Sequence, residues 1–158
     1  MRKLILGSVA VLVALVLAPQ PHAVRAAQPI VVIVGAKSAA TDIDLGTLRR
    51  AFEGAPATLS GQRLIPVNHG TTAATRIAFD RQILKLEPGD VGKFWIDKRI
   101  RDEGAPPKTV PTPDLAVRLA GSVPGIITYG TQDLVNAAVK VLTIGGKAPG
   151  QPGYPLSL

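Results

Sequence analysis

The chain has 158 residues, enough for one domain with a core of its own. It carries 18 Lys and Arg against 11 Asp and Glu and no cysteine, which excludes disulfides, thiolate metal sites and thiol catalysis. The basic residues form no strong cluster. Lys98, Arg99 and Arg101 are interrupted by Ile100 and followed by Asp102 and Glu103, the pattern of a solvated helix face rather than of a nucleic-acid footprint.

The first residues read as an export signal. Arg2 and Lys3 precede the apolar stretch from Leu4 to Ala18, and Pro19, Gln20 and Pro21 break it. That stretch is shorter than the ~20 residues a membrane span needs. Val24-Arg25-Ala26 has the small-residue spacing of a cleavage site. The expectation is therefore a signal peptide over 1–26, a mature chain starting at Ala27 or Gln28, and a periplasmic or secreted location. An uncleaved membrane anchor is the competing reading. With no cysteine at the cleavage site, no lipid anchor is expected. Removing Arg2, Lys3 and Arg25 leaves 15 basic residues against 11 acidic ones, about +4, a mild positive field suited to a small anionic ligand or an anionic surface.

After the leader, Pro29-Ile-Val-Val-Ile-Val-Gly35 is a continuous β-branched run and predicts a strand covered on both faces. Leu45, Leu48 and Phe52 have helical spacing, with Asp44 as the N-cap, Arg49 and Arg50 near the C-terminal end and Gly54 as the stop. A loop over 55–61 leads to a predicted strand over 63–67. Ile77, Phe79, Ile83, Leu84 and Leu86 predict one helix over 73–86. Pro88 opens the next, carried by Val91, Phe94, Trp95 and Ile100 to Glu103 and stopped by Gly104, with Phe94 and Trp95 read as core. A proline-rich connection contains an edge strand over 108–110. Thr112 caps a helix with Pro113 in its first position, ending at Gly121. Strands follow over 125–129 and 139–143, and residues 145–158 form a Gly/Pro-rich tail. Strands alternating with helices predict a layered α/β domain over 27–144 with a parallel or mixed sheet.

The chemistry concentrates in Val67-Asn-His-Gly-Thr-Thr-Ala-Ala-Thr-Arg-Ile-Ala-Phe79, where a strand gives way to a helix. The first N–H groups of a helix lack helical partners, and its positive end attracts anions. Thr71, Thr72 and Thr75 can add hydroxyl donors, and Arg76 a bidentate fork. Gly70 permits the turn, and His69 adds charge if protonated. Tyr129, at a strand end, can face a ligand cleft. The plainer reading stands beside this: threonines before a helix cap it, and Arg76 pairs with Asp80 four residues on.

The order of motifs resembles the substrate-binding proteins of phosphate ABC transporters, within the type II periplasmic binding-protein superfamily. Leu45, Leu48, Phe52 and Gly54 are similar to that family's L…L…F-x-G helix. Thr75-Arg76-Ile77-Ala78-Phe79 is similar to its T-R-x-x-F, Pro124-Gly125-Ile126-Ile127-Thr128-Tyr129 to its P-G-A-I-G-Y, and Tyr154-Pro155-Leu156-Ser157 to its Y-P-L-S. The resemblance implies a three-layer α/β lobe, a mixed, mostly parallel sheet flanked by helices, corresponding to one of the family's two lobes. It implies phosphate or a similar oxyanion as ligand, for uptake or sensing. The partner would be an ABC transporter membrane component or a second copy of the chain. Taken together with the residue chemistry above, the candidate anion contacts are His69, Gly70, Thr71, Thr72, Thr75, Arg76 and Tyr129. Ala73 and Ala74 depart from the pattern, standing where the family has the Ser and Gly that touch phosphate, and His69 stands in place of an arginine. The alternative is an interaction module, accessory to a membrane transporter or sensor, that binds no ligand.

Nothing in the sequence argues for an enzyme. Ser38, Ser60 and Ser122 lack a nucleophile elbow, no phosphate loop of the G-x-x-x-x-G-K type is present, and His69 is the one histidine after the leader. No cofactor and no metal are expected.

Overall fold

The structure, a computed structural model, describes residues 28–158. The expected leader lies outside the described residues. Six strands form one sheet in the order β2-β8-β1-β7-β5-β6. These are β1 (Val31–Gly35), β2 (Asp42–Ile43), β5 (Ile65–His69), β6 (Lys108–Val110), β7 (Ile126–Gly130) and β8 (Val139–Ile144). Strands β3 (Thr58–Leu59) and β4 (Gln62–Arg63) form a separate hairpin. Three pairings in the large sheet are parallel: β2 with β8, β5 with β6 and β5 with β7. β1 runs against both of its neighbours, with Val32 opposite Tyr129 on β7 and Leu142 on β8. Its β-branched run is covered on both faces, as the sequence predicts, because helices lie on either side of it.

On one face Ile30, Val32 and Val34 pack with Leu48 and Phe52 of α1 (Leu45–Phe52) and with Phe79. On the other, Val31 and Ile33 pack with Ala116, Val117 and Ala120 of α4 (Pro113–Ser122). These are the three layers. Both helices begin where their caps lie. The Asp44 carboxylate accepts from Thr47 N–H at 2.8 Å, and the Thr112 hydroxyl accepts from Leu115 N–H at 3.3 Å. Gly54, at φ 81°, turns the chain away after α1. Asp44→Ala is expected to lower stability by about 1 kcal/mol, read as a lower urea midpoint with an unchanged slope.

Three boundaries differ from the sequence reading. The strand expected over 63–67 is displaced. Arg63 closes the hairpin, whose tip, Ser60 and Gly61, takes the positive φ values of a two-residue turn. β5 starts only at Ile65, where the Ile65 N–H meets the Gly125 carbonyl, and runs on to His69. Pairing with β7 and β6 sets that register. The single helix expected over 73–86 is six residues of α-helix, α2 (Ala74–Phe79), followed by a π-helical turn over Asp80–Leu84 that ends with Lys85 in the left-handed region. A wider turn lets Phe79, Ile83 and Leu84 all reach the core. In α3 (Val91–Ile100), Trp95 is buried and Phe94 packs edge-on against it, but Ile100 is 78% exposed. Its expected place on the inner face is wrong, because α3 meets the lobe along little more than Trp95.

The Gly/Pro-rich end returns across the lobe. Leu156 is buried, its carbonyl accepts from Ile30 N–H, and the Gln82 side-chain amide bonds both the N–H and the carbonyl of Ser157. No helix among the described residues is long and apolar enough to cross a membrane.

Candidate functional site

The registers bring the C-terminal ends of β5, β6, β7 and β8 to one end of the sheet, with the β5–α2 turn among them. In open α/β sheets this is the end where ligands bind. The expected site residues separate here into two groups. His69, Thr75, Arg76 and Tyr129 are buried together beneath the turn, while Thr71 and Thr72 are exposed on it and Gly70 is half-buried between them.

The buried group is tightly joined. Tyr129 stacks on Phe79, ring centroids 3.8 Å apart and ring planes nearly parallel, with Phe52 edge-on to both. His69 also lies against Tyr129, tilted, with ring centroids 4.6 Å apart. The Tyr129 hydroxyl donates to Asn68 Oδ1 at 3.0 Å. Arg76 Nε donates to Asp80 Oδ2 at 2.7 Å, and its Nη1 donates to the His69 carbonyl at 3.2 Å. The pairing of Arg76 with Asp80 is thus the observed one, and it uses the fork that an anion would need. Thr75 Oγ1 lies 3.5 Å from His69 Nε2. Two polar atoms of this group, His69 Nδ1 and Asp80 Oδ1, have no hydrogen-bond partner.

Burial sets the protonation states. Taking His69 out of water pushes its pKa down to about 4, and the Arg76 charge acts in the same direction; the nearby Tyr129 main chain opposes them less strongly. His69 is therefore neutral at physiological pH and adds no charge for an anion. Burial raises the Asp80 carboxyl, against the pull of Arg76, and pushes the Tyr129 phenol well up.

The exposed group is the turn itself. Ala73 N–H bonds the Gly70 carbonyl, and Ala73, the residue before α2, offers no side-chain cap. Neither threonine caps the helix, and both are exposed beside the first-turn N–H groups of α2, which have no carbonyl within the helix to bond. Asn68 is not among the residues expected from the sequence, because a strand over 63–67 stops short of it, whereas β5 runs to His69. Its place next to His69 on an extended β5 was the missing signal.

No protein-family model matches the chain, and no curated protein matches it. Among solved structures, an ABC-type phosphate transport receptor from Vibrio cholerae superposes with a TM-score of 0.62 at 13% identity, over 78% of this chain and 49% of its own. A structure from Clostridium perfringens described as a phosphate ABC transporter substrate-binding protein with bound phosphate gives 0.62 and 13%, over 78% and 47%. PstS from Borrelia burgdorferi gives 0.55 and 12%, over 78% and 50%. The chain has the fold of one lobe of a type II periplasmic binding protein. The lobe spans about half the length of these neighbours, two of which are described as phosphate-transport components.

Proposed function

We propose that the chain is an exported substrate-binding-protein-like lobe that recognises phosphate or a similar small oxyanion at the turn from Gly70 to Ala74, for uptake or sensing. The observation that supports it is the position of that turn, with two exposed threonines and the first-turn N–H groups of α2, at the ligand-binding end of a fold whose solved examples include phosphate receptors. Thr71, Thr72 and the first-turn N–H groups of α2 are the contacts. His69, Thr75, Arg76 and Tyr129 act from behind: the bond from Arg76 to the His69 carbonyl holds the end of β5 in place. One lobe cannot enclose an anion, so binding is weak until an ABC transporter membrane component or a second copy closes the face.

A second reading, an interaction module without a ligand, is favoured by one observation. Arg76 is committed to Asp80, and Ala73 and Ala74 supply only methyl groups where a donor and a glycine would serve an anion. Thermal melting in phosphate decides between them. Free phosphate at ten times its Kd adds roughly 1.4 kcal/mol, or a few degrees in Tm. Ala74→Asp puts a carboxylate at the exposed start of α2, which favours the helix and repels an anion. The expected result is a phosphate-dependent rise in the parent chain, of millimolar dependence, that is absent in Ala74→Asp although that variant melts no lower. Equal shifts in both proteins, or none in either at ionic strength matched with chloride, leave the interaction module as the reading.

A further inference from the structure

One well-formed cavity in the described residues is not at the β5–α2 turn. It lies at the opposite end of the sheet, where β1 ends and β7 begins, and its volume is about 550 Å³, within the range of small-molecule sites. Val34, Leu64 and Ile126 form an apolar floor. The β3–β4 hairpin stands on one side, and the last turn of α4 on the other. Of the lining residues one is ionisable, Lys37. It is exposed at the rim and has no ion-pair partner among the described residues. Carbonyl groups at the C-terminal end of α4 oppose an anion on that wall, although the Arg118 carbonyl accepts from the Ser122 hydroxyl and the Leu119 carbonyl from Val123 N–H. Lys37 is the one full charge on the cavity, and an anion is held at its side, away from α4.

The walls are held in place without a ligand. The loop after β1 is tied down by Lys140 Nζ, which donates to the Ser38 carbonyl at 2.6 Å, and by Ala36 N–H on the Ala138 carbonyl at 2.9 Å. The hairpin is anchored by Leu64 N–H on the Ala57 carbonyl and by Ile65 N–H on the Gly125 carbonyl, both at 2.8 Å. An apolar floor gives affinity in proportion to the surface it covers, and a single cation at the rim selects the end that remains in water. We infer that this cavity is a second binding site, for small amphipathic anions: an apolar body on the Val34–Leu64–Ile126 floor and a carboxylate or sulfonate at Lys37. The second polar contact is the Gln62 side chain, also at the rim.

The test uses the full chain at neutral pH with two probes, anilinonaphthalene sulfonate followed by fluorescence and octanoate as its competitor, with octanamide as the uncharged control. Lys37→Glu changes an exposed residue and is expected to weaken octanoate roughly tenfold. Val123→Trp, at a position 41% exposed on the cavity wall, fills the space and is expected to abolish both probes with the melting temperature kept. In amide NMR, octanoate should shift Gly35, Gly61 and Gly125 and leave Thr71 to Arg76 unmoved. No binding of either probe overturns the inference. So does binding that both variants leave unchanged, and octanamide binding as tightly as octanoate overturns the role of Lys37. Phosphate acts on other residues, so neither result depends on the reading of the β5–α2 turn.

Discussion

Arg76→Ala is expected to destabilise the lobe by about 3–5 kcal/mol, as much as truncating a buried aromatic ring. The Arg76 and Asp80 side chains are 4% and 6% exposed, and each has the other as its charge partner. Removing the guanidinium strands Asp80 in the interior, with Oδ1 already unpartnered, and frees the His69 carbonyl as well. The pair itself stabilises the fold little, because the desolvation of two charges offsets most of their attraction. Replacing both, as Arg76→Met with Asp80→Leu, should therefore recover most of the loss. Urea denaturation of the four proteins closes the cycle. A loss below about 1 kcal/mol in Arg76→Ala would mean that the pair is not buried in solution. The same result governs the choice of binding tests. A loss of phosphate binding in Arg76→Ala would report a damaged fold, whereas the exposed Ala74 reports the site.

The second large effect is a loss of stability in mild acid. His69 has a pKa of about 4 in the fold against 6.5 as a free group. Between those values the unfolded chain takes up a proton that the native chain refuses, so acidification favours unfolding. The stability is fully present above pH 6.5, declines as the pH falls through that window and is lost by pH 4. The total is about 3 kcal/mol, because each pH unit between the two values is worth ~1.4 kcal/mol. The raised Asp80 carboxyl acts in the opposite direction as the pH falls toward its ordinary value of 3.8, since its native form binds the proton more readily. The depressed Asp42 and Asp44 carboxyls act only below their ordinary value of 3.8. Comparison with His69→Phe, which keeps an aromatic ring against Tyr129 and cannot titrate, isolates the histidine. The slope of stability between pH 6.5 and pH 4 should flatten in the variant. Equal slopes would show that His69 is solvated and protonated like a surface histidine.

Both effects arise in the stretch that also drew attention in the sequence, and they explain why only part of the candidate site was legible there. The spacing of His69, Thr75 and Arg76 marked a strand-to-helix transition rich in polar groups, and that transition exists. Whether a polar side chain there faces solvent or the core is not a local property. Arg76 turns inward because Asp80, one turn on, meets it under Tyr129 and Phe79, and Tyr129 arrives from β7, far along the chain, through its pairing with β5. Asp80 was identifiable as an i, i+4 partner, but its burial was not.

Features governed by neighbouring residues could be read from the amino-acid sequence alone. The β-branched run of β1, the caps at Asp44 and Thr112, Pro113 in the first turn of α4 and the layered α/β class all follow from short-range hydrogen bonds and side-chain periodicity. Tertiary pairing alone decided that β5 continues to His69, that the helix after the turn widens at Asp80, and that β1 runs against its neighbours. It also closed the cavity between the β3–β4 hairpin and α4. The physical reason is the same in each case: these features depend on which distant backbone groups and apolar surfaces meet, and burial then sets the charge of His69 and the direction of Arg76.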